Sequence, residues 1–411
     1  MIGETRRIRH AGVTFRDPEI DLDRLREWKN EVVGKLTGGL GQLTRQRGVR
    51  FVRGRAKLLD AVTLEVDAGG TPERHGFDHV ILATGSRPVR LPGFPDDDRV
   101  FDSTTALELA DVPERLLVVG GGYIGLELGS VYASLGSDVT VVEMTDGLLP
   151  GVDRDLVRPL EKKLAEEFEA VHLNTRAAEV KKTRDGLRVT LDGPDVSDPS
   201  RAFDRVLVAV GRRPCSEDLG LDEAGVRADE RGFVVVDERR RTSAPSVWAI
   251  GDLTGQPMLA HKASHEGRVA AEAIAGHNAA FDPAAIPAVV FTDPEIAWCG
   301  LTETEAKQRG IEVQVTRFPW GASGRALTLD RGDGVTKLVV EPRTERILGV
   351  GICGSGAGEM IAEGVLAVEM AAVAEDLERT IHAHPTLSET IMEAAEAVRG
   401  QATHVYRRKR G

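Results

Sequence analysis

The chain has 411 residues, of which 41% are hydrophobic and 29% are charged, and its formal net charge is −12. At roughly 100–200 residues per domain, this length is too great for one hydrophobic core and predicts two to four domains. The acidic balance argues against nucleic acid as a partner, because neutralising phosphates requires a basic face. The basic run at residues 407–410 is interpreted as a solvated terminus.

The cysteines and the apolar segments indicate in which cellular compartment the protein is expected. Cys215, Cys299 and Cys353 form neither C-x-x-C nor C-x-x-x-x-C, which is more typical of buried thiols in a reducing cytoplasm than of a disulfide framework. Residues 1–15 are charged and lack an apolar run, so no signal peptide is expected. Residues 116–135 are nearly uncharged, but their five glycines favour a turn and a packed helix over a membrane span. We therefore expect a cytoplasmic protein with no membrane partner.

The first part of the chain predicts one helix followed by short strands. Residues 21–47 carry apolar side chains mostly three or four positions apart, as on one face of a helix. Short alternating segments follow, and they predict antiparallel strands at residues 49–52, 58–59 and 62–66. An apolar strand at 80–83 then closes on Thr84-Gly85-Ser86, and Ser103 is a candidate N-cap for a short helix.

The rest of the chain predicts an α/β unit and then an α+β domain. The α/β unit has a strand at 116–119, a helix to 135 and further elements at residues 138–143, 155–168 and 206–210. Strands at 234–236 and 247–250 and a helix at 259–275 follow. From about residue 286 the pattern changes to strands and then helices, predicted at residues 288–291, 337–341, 347–352, 359–372 and 387–398.

A glycine turn at residues 120–125 is the strongest motif in the chain. The sequence GGGYIG matches G-x-G-x-x-G and lies between a predicted strand and a predicted helix, as in a dinucleotide-binding βαβ unit. In such a unit Gly120 permits the tight turn, Gly122 lets the backbone approach a pyrophosphate, and Gly125 lets the helix pack on the strand. Glu143 follows Gly120 by 23 positions, where a carboxylate accepts the ribose hydroxyls and repels a 2′-phosphate, so we predict NAD rather than NADP. The alternative is a structural glycine turn with a surface Glu143.

Three further segments favour a second dinucleotide site. A buried strand ends in Thr84-Gly85, Gly211 follows the strand at 206–210 in the same way, and Asp252 follows the strand at 247–250. In open α/β sheets, ligands bind at this carboxyl edge. Each segment alone is more often structural, since glycine turns are common between elements. Their recurrence around the NAD unit favours a cofactor.

Taken together, these motifs resemble those of the two-dinucleotide-binding flavoprotein disulfide reductases, from about residue 8 onward. The most specific segment is IHAHPTLSE at residues 381–389, followed by GD at 251–252, PMLAHK at 257–262 and FTDPE at 291–295. The resemblance implies an α/β fold with two Rossmann-like domains, for FAD and for NAD, and a C-terminal α+β dimerisation domain. It also implies a homodimer that oxidises protein-bound dihydrolipoamide with NAD+, through FAD, on the lipoyl domain of a 2-oxo acid dehydrogenase complex.

The same resemblance implies site residues and domain boundaries. For NAD it implies three contacts beyond the glycine turn, from Glu127, Ala177 and Gly211. For FAD it implies contacts from Ala56 at the adenine, Thr84 and Gly85, Asp252 at the ribityl chain, and Ala260 near the isoalloxazine. The expected domains are residues 1–113 (first part of an incomplete FAD domain), 114–233 (NAD domain), 234–282 (return segment of the FAD domain) and 283–411 (interface domain).

His384 and Glu389 are the candidate acid–base pair. Thiol–disulfide exchange needs a base because the thiolate is the nucleophile. Histidine titrates near neutrality, and a carboxylate on its other ring nitrogen raises its basicity. The alternatives are a capping box formed by Thr386 and Glu389, or a surface histidine. The resemblance implies that His384 acts across the dimer interface on the other subunit's disulfide, and that His382 is structural.

The sequence departs from the family pattern at its start. The family begins with an FAD-binding strand–GxGxxG–helix, then a redox-active C-x-x-x-x-C and a lysine that pairs with the residue at Glu127, and none of these is found here. We therefore expect a truncated chain whose residues 1–113 are less stable than the rest, since losing a central strand exposes apolar surface. Three functions stay open: dihydrolipoamide oxidation, a non-catalytic NAD-binding dimer, and a flavin-dependent NADH diaphorase. A further possibility is that Met1 is internal to a longer reading frame.

Overall fold

The computed structural model describes residues 2–405, so the basic run at 407–410 lies outside the described residues. The helices are α1 (Ile2–Arg7), α2 (Leu22–Gln46), α3 (Ser103–Ala106), α4 (Tyr123–Leu135), α5 (Arg154–Glu167), α6 (Ala260–Ile274), α7 (Glu303–Arg309), α8 (Gly324–Thr328), α9 (Ala357–Glu369), α10 (Ala374–Arg379) and α11 (Glu389–Glu396). Short 3-10 helices cover Ile8–Ala11, Gly251–Thr254 and Trp320–Ala322. Within residues 2–405, none of the helices combines the length and the apolar character needed to cross a bilayer.

The strands are mostly short. They are β1 (Arg55–Leu58), β2 (Thr63–Asp67), β3 (Glu73–Gly76), β4 (Val80–Leu82), β5 (Ser86–Pro88), β6 (Val100–Asp102), β7 (Arg115–Val119), β8 (Asp138–Val142), β9 (Ala170–His172), β10 (Arg176–Thr183), β11 (Gly186–Asp192), β12 (Ser200–Phe203), β13 (Arg205–Val208), β14 (Arg212–Pro214), β15 (Val247–Ala249), β16 (Ala288–Val290), β17 (Glu295–Gly300), β18 (Gln314–Pro319), β19 (Val335–Val340) and β20 (Ile347–Gly354). The chain divides into two compact units. The first unit comprises the residues up to Arg90 with Thr104–Asp111 and Gly211–Asp282, and the second comprises Leu91–Ser103, Val112–Val210 and the residues from Pro283 onward.

The first unit contains three small sheets. β1, β2 and β3 form an antiparallel meander, β5 pairs with β14 in antiparallel fashion, and β4 pairs with β15 in parallel. The parallel pair contributes Leu82, Val247 and Ala249 to an apolar core that also contains Val226 and Leu253. Because both strands of the pair run the same way, their carboxyl ends meet at one edge. Two of the three segments predicted to bind a second dinucleotide, Thr84-Gly85 and Asp252, follow that edge.

The long helix α2 was predicted from its apolar spacing and is confirmed. Asp21 caps its first turn by accepting a hydrogen bond from the backbone of Arg24 at 3.0 Å. However, none of its residues is buried, and the side chains of Trp28 and Leu36 are 63% and 68% exposed. Its apolar face therefore receives little stabilisation from tertiary packing, on which most helices in proteins depend.

We expect limited proteolysis to cleave α2 before any helix of the second unit. A helix without buried residues opens at little free-energy cost, whereas α4 and α9 must first leave a packed core. Mass spectrometry of early fragments checks this, with cuts inside Leu22–Gln46 as the expected result. Equal protection of α2 and α4 at all digestion times would refute it.

A five-stranded parallel sheet forms the first half of the second unit. Its strand order is β6-β13-β7-β8-β9, and every pairing is parallel. β7 and β8 are nearly continuous apolar runs because central parallel strands are buried on both faces. α4 follows β7 after the glycine turn and ends at Gly136, whose φ of 115° gives the left-handed C-cap. The strand–turn–helix–strand order predicted for residues 116–143 is confirmed.

Two antiparallel sheets complete the second unit. β10, β11 and β12 form one of them, and Leu187 packs in a common core with Leu117 and Val142 of the parallel sheet. The other has the order β16-β17-β20-β19-β18, and its core includes Ile352 of β20 with Ile391 of α11. The predicted α/β class with an α+β domain at the C-terminus is therefore confirmed.

Two predicted strands are wrong. Residues 49–52 form no strand, and Phe51 is 80% exposed, so their alternation does not reflect a half-buried sheet. Residues 234–236 make only an isolated bridge from Val234 to Ala228. Val234 is nevertheless buried, with its backbone N–H donating to Leu253 at 2.9 Å. Its apolar side chain packs in the core, and its segment does not pair as a strand.

Candidate functional site

The glycine turn has the geometry that its motif predicts. Gly120 adopts φ 112°, and a Cβ atom there would lie 2.5 Å from the carbonyl oxygen of Ala209. A Cβ atom on Gly125 would lie 2.1 Å from the carbonyl oxygen of Gly120, so the helix packs directly on the turn. Gly122 is the N-cap of α4, and its Cβ direction faces open space. The turn therefore leaves a free approach to the N-terminal N–H groups of α4, where a phosphate is stabilised.

Glu143 stands beside this turn. It follows the last residue of β8, and its Oε2 atom accepts a hydrogen bond from the backbone N–H of Gly121 at 2.7 Å. Its Oε1 atom accepts from the backbone N–H of Thr145 at 2.8 Å and from the Thr145 hydroxyl at 2.9 Å. These bonds fix the carboxylate against the glycine turn and leave lone pairs for further donors. The sequence analysis missed Thr145, although a hydroxyl two positions after a carboxylate is a recognisable local signal.

A cavity of about 360 Å³ adjoins the end of β8. It is lined by Met144, Asn174, Thr175, Arg176, Asp192, Gly193 and Pro194. The backbone N–H of Thr175 donates to the carbonyl oxygen of Glu143 at 2.8 Å. The cavity and Glu143 therefore lie close together in the second unit.

Glu127 and Ala177 lie in the same unit. Glu127, on α4, accepts a hydrogen bond from the backbone N–H of Phe291 at 2.8 Å. Burial raises the pKa of the Glu127 carboxyl above its usual value, and this hydrogen bond only partly offsets the effect. Ala177 lies at the bulge of β10 and packs against the core of the parallel sheet.

In the first unit, the two predicted glycine turns lie side by side. The Thr84 hydroxyl donates to the carbonyl oxygen of Cys215 at 2.8 Å, and Gly85, with φ 71°, accepts from the backbone N–H of Cys215 at 2.9 Å. Gly211 adopts φ 117° and accepts from the backbone N–H of Val89 at 3.0 Å. The two turns are thus joined by hydrogen bonds within the first unit.

Asp252 joins this group through side chains that the sequence analysis did not select. Its Oδ2 atom accepts from the hydroxyl of Ser86 at 2.5 Å, and that hydroxyl accepts from Nε of Arg212 at 2.7 Å. Ala260, the first residue of α6, follows the Asp252 turn in the chain. Ala56 lies on β1 opposite Val66 in the meander.

Behind the Asp252 turn is a buried ionic group. Glu266 is fully buried and accepts from the backbone N–H of Gly251 at 2.6 Å. Nζ of Lys262 and Nη1 of Arg240 each lie 3.0 Å from its Oε1 atom. The group fixes the backbone that presents Asp252. The i,i+4 spacing of Lys262 and Glu266 was a signal for it, because such residues lie on the same helix face.

The two side chains predicted to act as an acid–base pair are in hydrogen-bond contact. Nδ1 of His384 lies 2.9 Å from Oε1 of Glu389, and the imidazole side chain is 76% exposed. Oε2 of Glu389 accepts from the backbone N–H of Thr386 at 2.7 Å. Burial alone would raise the pKa of Glu389, but the hydrogen bonds from Thr386 and His384 hold it below its usual value. The carboxylate thus stays charged and orients the ring.

The alternative of a capping box is only half fulfilled. Glu389 reaches back to the backbone of Thr386, but the Thr386 hydroxyl donates to the carbonyl oxygen of Ala383 at 2.7 Å. By contrast, both ring nitrogens of His382 have partners, with Nε2 at 2.8 Å from Glu363 and Nδ1 at 2.8 Å from the carbonyl oxygen of Thr380. His382 is 6% exposed, which agrees with the structural role expected for it.

All three cysteines are free thiols, and two are unsuited to redox chemistry. Cys299 and Cys353 are buried in the antiparallel sheet of the second unit. Burial raises the pKa of Cys299 to about 12 and raises that of Cys353 further still. Neither can supply a thiolate near neutral pH.

Comparison with known proteins identifies the family. Residues 3–267 match the model of the pyridine nucleotide-disulphide oxidoreductases, and residues 286–395 match the dimerisation domain of the same family. The chain belongs to the pyridine nucleotide-disulphide oxidoreductase family. Membership in this family makes the protein an oxidoreductase with FAD and NAD as its cofactors. The dimerisation domain supports a homodimer.

Curated relatives and solved structures agree with this family. The chain is 45% identical over 410 residues to the dihydrolipoyl dehydrogenase of Vibrio parahaemolyticus, covering 100% of this chain and 86% of the relative. It is 49% identical over 393 residues to that of Thermus scotoductus, covering 95% and 84%. The structure of LpdA from Mycobacterium tuberculosis superposes with a TM-score of 0.88 at 29% identity, covering 96% of this chain and 86% of that one. The HOCl-induced flavoprotein disulfide reductase RclA from Escherichia coli gives 0.83 at 28%, covering 92% and 86%.

The residues of this pyridine nucleotide-disulphide oxidoreductase fit its two cofactors to different extents. The glycine turn and Glu143 together have the open approach, the packed helix and the fixed carboxylate that NAD requires. For FAD, the turn at Gly85 and the Asp252 carboxylate lie together at the carboxyl end of the parallel strands β4 and β15. Ligands of open α/β sheets bind at such an edge. The glycine turn and Glu143 thus fit the pyrophosphate and ribose of NAD, and the described residues fit FAD at this strand edge.

Proposed function

We propose that this chain is a dihydrolipoyl dehydrogenase. It acts in the cytoplasm on the lipoyl domain of a 2-oxo acid dehydrogenase complex, oxidising dihydrolipoamide with NAD+ through FAD. The observation that carries the proposal is the exposed imidazole of His384 held by Glu389 at 2.9 Å. Two relatives named dihydrolipoyl dehydrogenase, at 45% and 49% identity, support it.

In this proposal, His384 is the proton acceptor for a thiol. With Nδ1–H donating to Glu389, the lone pair of the exposed Nε2 atom is free to take a thiol proton, and the resulting thiolate is the nucleophile. The carboxylate stabilises the imidazolium that forms. In the reverse step, the same nitrogen returns the proton to the leaving sulfur. The family resemblance implies that the thiolate of dihydrolipoamide attacks a disulfide of the other subunit, and no C-x-x-x-x-C for that disulfide occurs in these 411 residues.

We assign the NAD site to the second unit. Gly120, Gly122 and Gly125 hold the pyrophosphate at the start of α4, and Glu143 accepts the adenosine ribose hydroxyls. The resemblance implies further NAD contacts from Glu127, Ala177 and Gly211.

We assign the FAD contacts to the first unit. The residues that would hold FAD are Ala56, Thr84, Gly85, Asp252 and Ala260. FAD supplies the two-electron step between a dithiol and a nicotinamide. Asp252 offers a carboxylate to a sugar-like hydroxyl chain, and the Ser86 hydroxyl and the Arg212 guanidinium hold it in place.

This function goes with three domains formed by four chain segments, and we propose boundaries for them. These are residues 1–113 and 234–282 for FAD, 114–233 for NAD and 283–411 for the interface. The parallel pairing of β4 with β15 supports the assignment of both FAD segments to one body, because β4 belongs to the first segment and β15 to the second.

The positions of the cysteines favour a second candidate function. The sequence contains cysteine only at 215, 299 and 353, and the latter two are buried. A non-catalytic NAD-binding dimer and an NADH diaphorase both operate without a redox dithiol. The three functions differ in their need for flavin and for thiol chemistry.

The decisive experiment is a staged reconstitution of the 411-residue chain. The protein is titrated with NAD+ by calorimetry, incubated with FAD and desalted, and then assayed with dihydrolipoamide and NAD+. Dihydrolipoyl dehydrogenase activity of this chain predicts NAD+ binding, a bound-flavin spectrum and lipoamide-dependent NAD+ reduction. We expect His384→Gln to lower that rate about 10²–10⁴-fold, as for loss of an acid–base group. The exposed His277→Gln is the matched control and should leave the rate unchanged.

Each alternative gives a different result. Flavin binding with reduction of a dye by NADH, but no lipoamide turnover, identifies a diaphorase. NAD+ binding without retained flavin identifies a non-catalytic NAD-binding protein. A chain that binds no NAD+ would contradict all three functions.

A further inference from the structure

An ion pair borders the cavity beside the proposed adenosine site. Arg176 is the first residue of β10 and Asp192 the last of β11, and the two are direct partners in the antiparallel register. Nε and Nη2 of Arg176 lie 2.9 and 2.8 Å from Oδ2 of Asp192. Both residues line the cavity of about 360 Å³. The pair thus lies at this end of the β10–β11 hairpin, beside the cavity.

The same cavity adjoins the carboxylate that selects the ribose. Met144 follows Glu143 in the chain and lines the cavity. The residue before Arg176, Thr175, donates its backbone N–H to the carbonyl oxygen of Glu143 at 2.8 Å. An adenosine held by Glu143 would therefore lie beside the cavity that Arg176 and Asp192 line.

The charges at this place bear on the choice between NAD and NADP. A guanidinium near the ribose is the group with which dinucleotide sites accommodate a 2′-phosphate, because its planar fork matches phosphate oxygens. Arg176 stands in such a position, but its donors are directed to Asp192. Asp192 also adds a second negative charge to that of Glu143, and both repel a 2′-phosphate.

We propose that Asp192 is a specificity-determining residue that keeps Arg176 from accepting the 2′-phosphate of NADP. This inference rests on the proposed NAD site and deepens it. Two residues then select NAD over NADP. Glu143 binds the free ribose hydroxyls of NAD, and Asp192 neutralises the Arg176 cation that would otherwise bind the 2′-phosphate of NADP. Loss of Asp192 alone uncovers Arg176 while the contacts of Glu143 with NAD stay in place.

The test measures binding, so it does not depend on turnover. The 411-residue chain is titrated by calorimetry with NAD+ and NADP+, and with the fragments 5′-AMP and adenosine 2′,5′-bisphosphate. We expect Asp192→Asn to strengthen NADP+ and bisphosphate binding about tenfold and to change NAD+ and 5′-AMP binding by less than about twofold. The gain should shrink as salt is added, because ions screen exposed charges.

A second variant and a control assign the gain to Arg176. Asp192→Asn combined with Arg176→Met should lose the gain, since the cation that binds the phosphate is gone. Glu179→Gln breaks an ion pair to Lys181 on the same strand, with a 2.8 Å separation, and should change neither affinity. The side chains of Arg176 and Asp192 are 62% and 60% exposed, so their variants leave the core untouched.

Two results would overturn the inference while NAD+ still binds the unmodified chain. One is an unchanged ratio of NADP+ to NAD+ affinity in Asp192→Asn, and the other is a gain that persists without Arg176. Failure of the unmodified chain to bind NAD+ would instead overturn the proposed function, and this inference with it.

Discussion

Replacing Lys337 by methionine is expected to lower the free energy of unfolding of the second unit by about 3–5 kcal/mol. The Lys337 side chain is fully buried on β19. Its Nζ atom lies 2.7 Å from Asp153, 3.0 Å from Asp155 and 2.7 Å from Glu303. Methionine has similar length but no charge, so three carboxylates would be left together. Arg317, which pairs with Asp155 and Glu303, would be the one cation remaining among these residues.

The loss should be local and should exceed that at an exposed ion pair. Lys181→Met is the matched control, because Lys181 lies 2.8 Å from Glu179 but is 65% exposed, and exposed pairs contribute about 0–1 kcal/mol. Hydrogen exchange should accelerate in β19, α5 and α7, the elements that the buried cluster joins. If both variants show the same urea midpoint as the parent chain, the cluster contributes no net stability.

The cluster also gives the stability of this unit a pH dependence. Burial raises the pKa of Asp153, but hydrogen bonds from Lys337 and from Thr304 outweigh it and hold the pKa below its ordinary value. A carboxyl whose pKa is lower in the folded state adds stability above its unfolded pKa, and this is lost as pH falls through the folded value. Without Lys337, that pKa should rise, and acid unfolding should begin at higher pH than in the parent.

Substituting alanine for Gly125 is expected to weaken NAD+ binding up to about 100-fold, because losing a hydrogen bond to a charged phosphate costs about 1.5–3 kcal/mol. The new Cβ atom would lie 2.1 Å from the carbonyl oxygen of Gly120, far inside van der Waals contact. The first turn of α4 must therefore move away from the turn and take its N–H groups with it. Calorimetric titration with NAD+ measures the effect.

Two other glycines separate the possible causes. Gly122→Ala adds a Cβ atom in open space, so the fold should keep its thermal midpoint while the pyrophosphate is obstructed. Gly34→Ala, in α2, also meets no neighbour and should leave NAD+ binding unchanged. If Gly125→Ala binds NAD+ as the parent does, the glycine turn is not the cofactor site.

The NAD half of the site could be predicted from sequence because its determinants are local. The strand, the glycines and the helix follow one another within residues 116–135, and parallel pairing of β7 with β8 then brings Glu143 to the turn. The His384–Glu389 pair is five positions apart, so a single turn of chain brings the two side chains together. Such spacings are fixed by backbone geometry, whatever the rest of the fold does.

The remaining contacts join residues that are remote in sequence. Lys337 meets Asp153 across 184 positions, and Phe291 meets Glu127 across 164. A lysine in the strand VTKLVV would be expected to point to solvent, and only the tertiary fold shows the carboxylates that allow its burial. Glu266 was missed for the same reason, since Arg240 reaches it from outside its helix.

The distribution of the thiols provides a built-in reporter of unfolding. Cys299 lies on β17 and Cys353 on β20, neighbouring strands of one buried sheet, whereas Cys215 belongs to the first unit and is half-buried. A thiol reagent applied in short pulses would modify the first two only while that sheet is open. The fraction of chains with two additional labels then counts openings of the dimerisation domain, without any engineered probe.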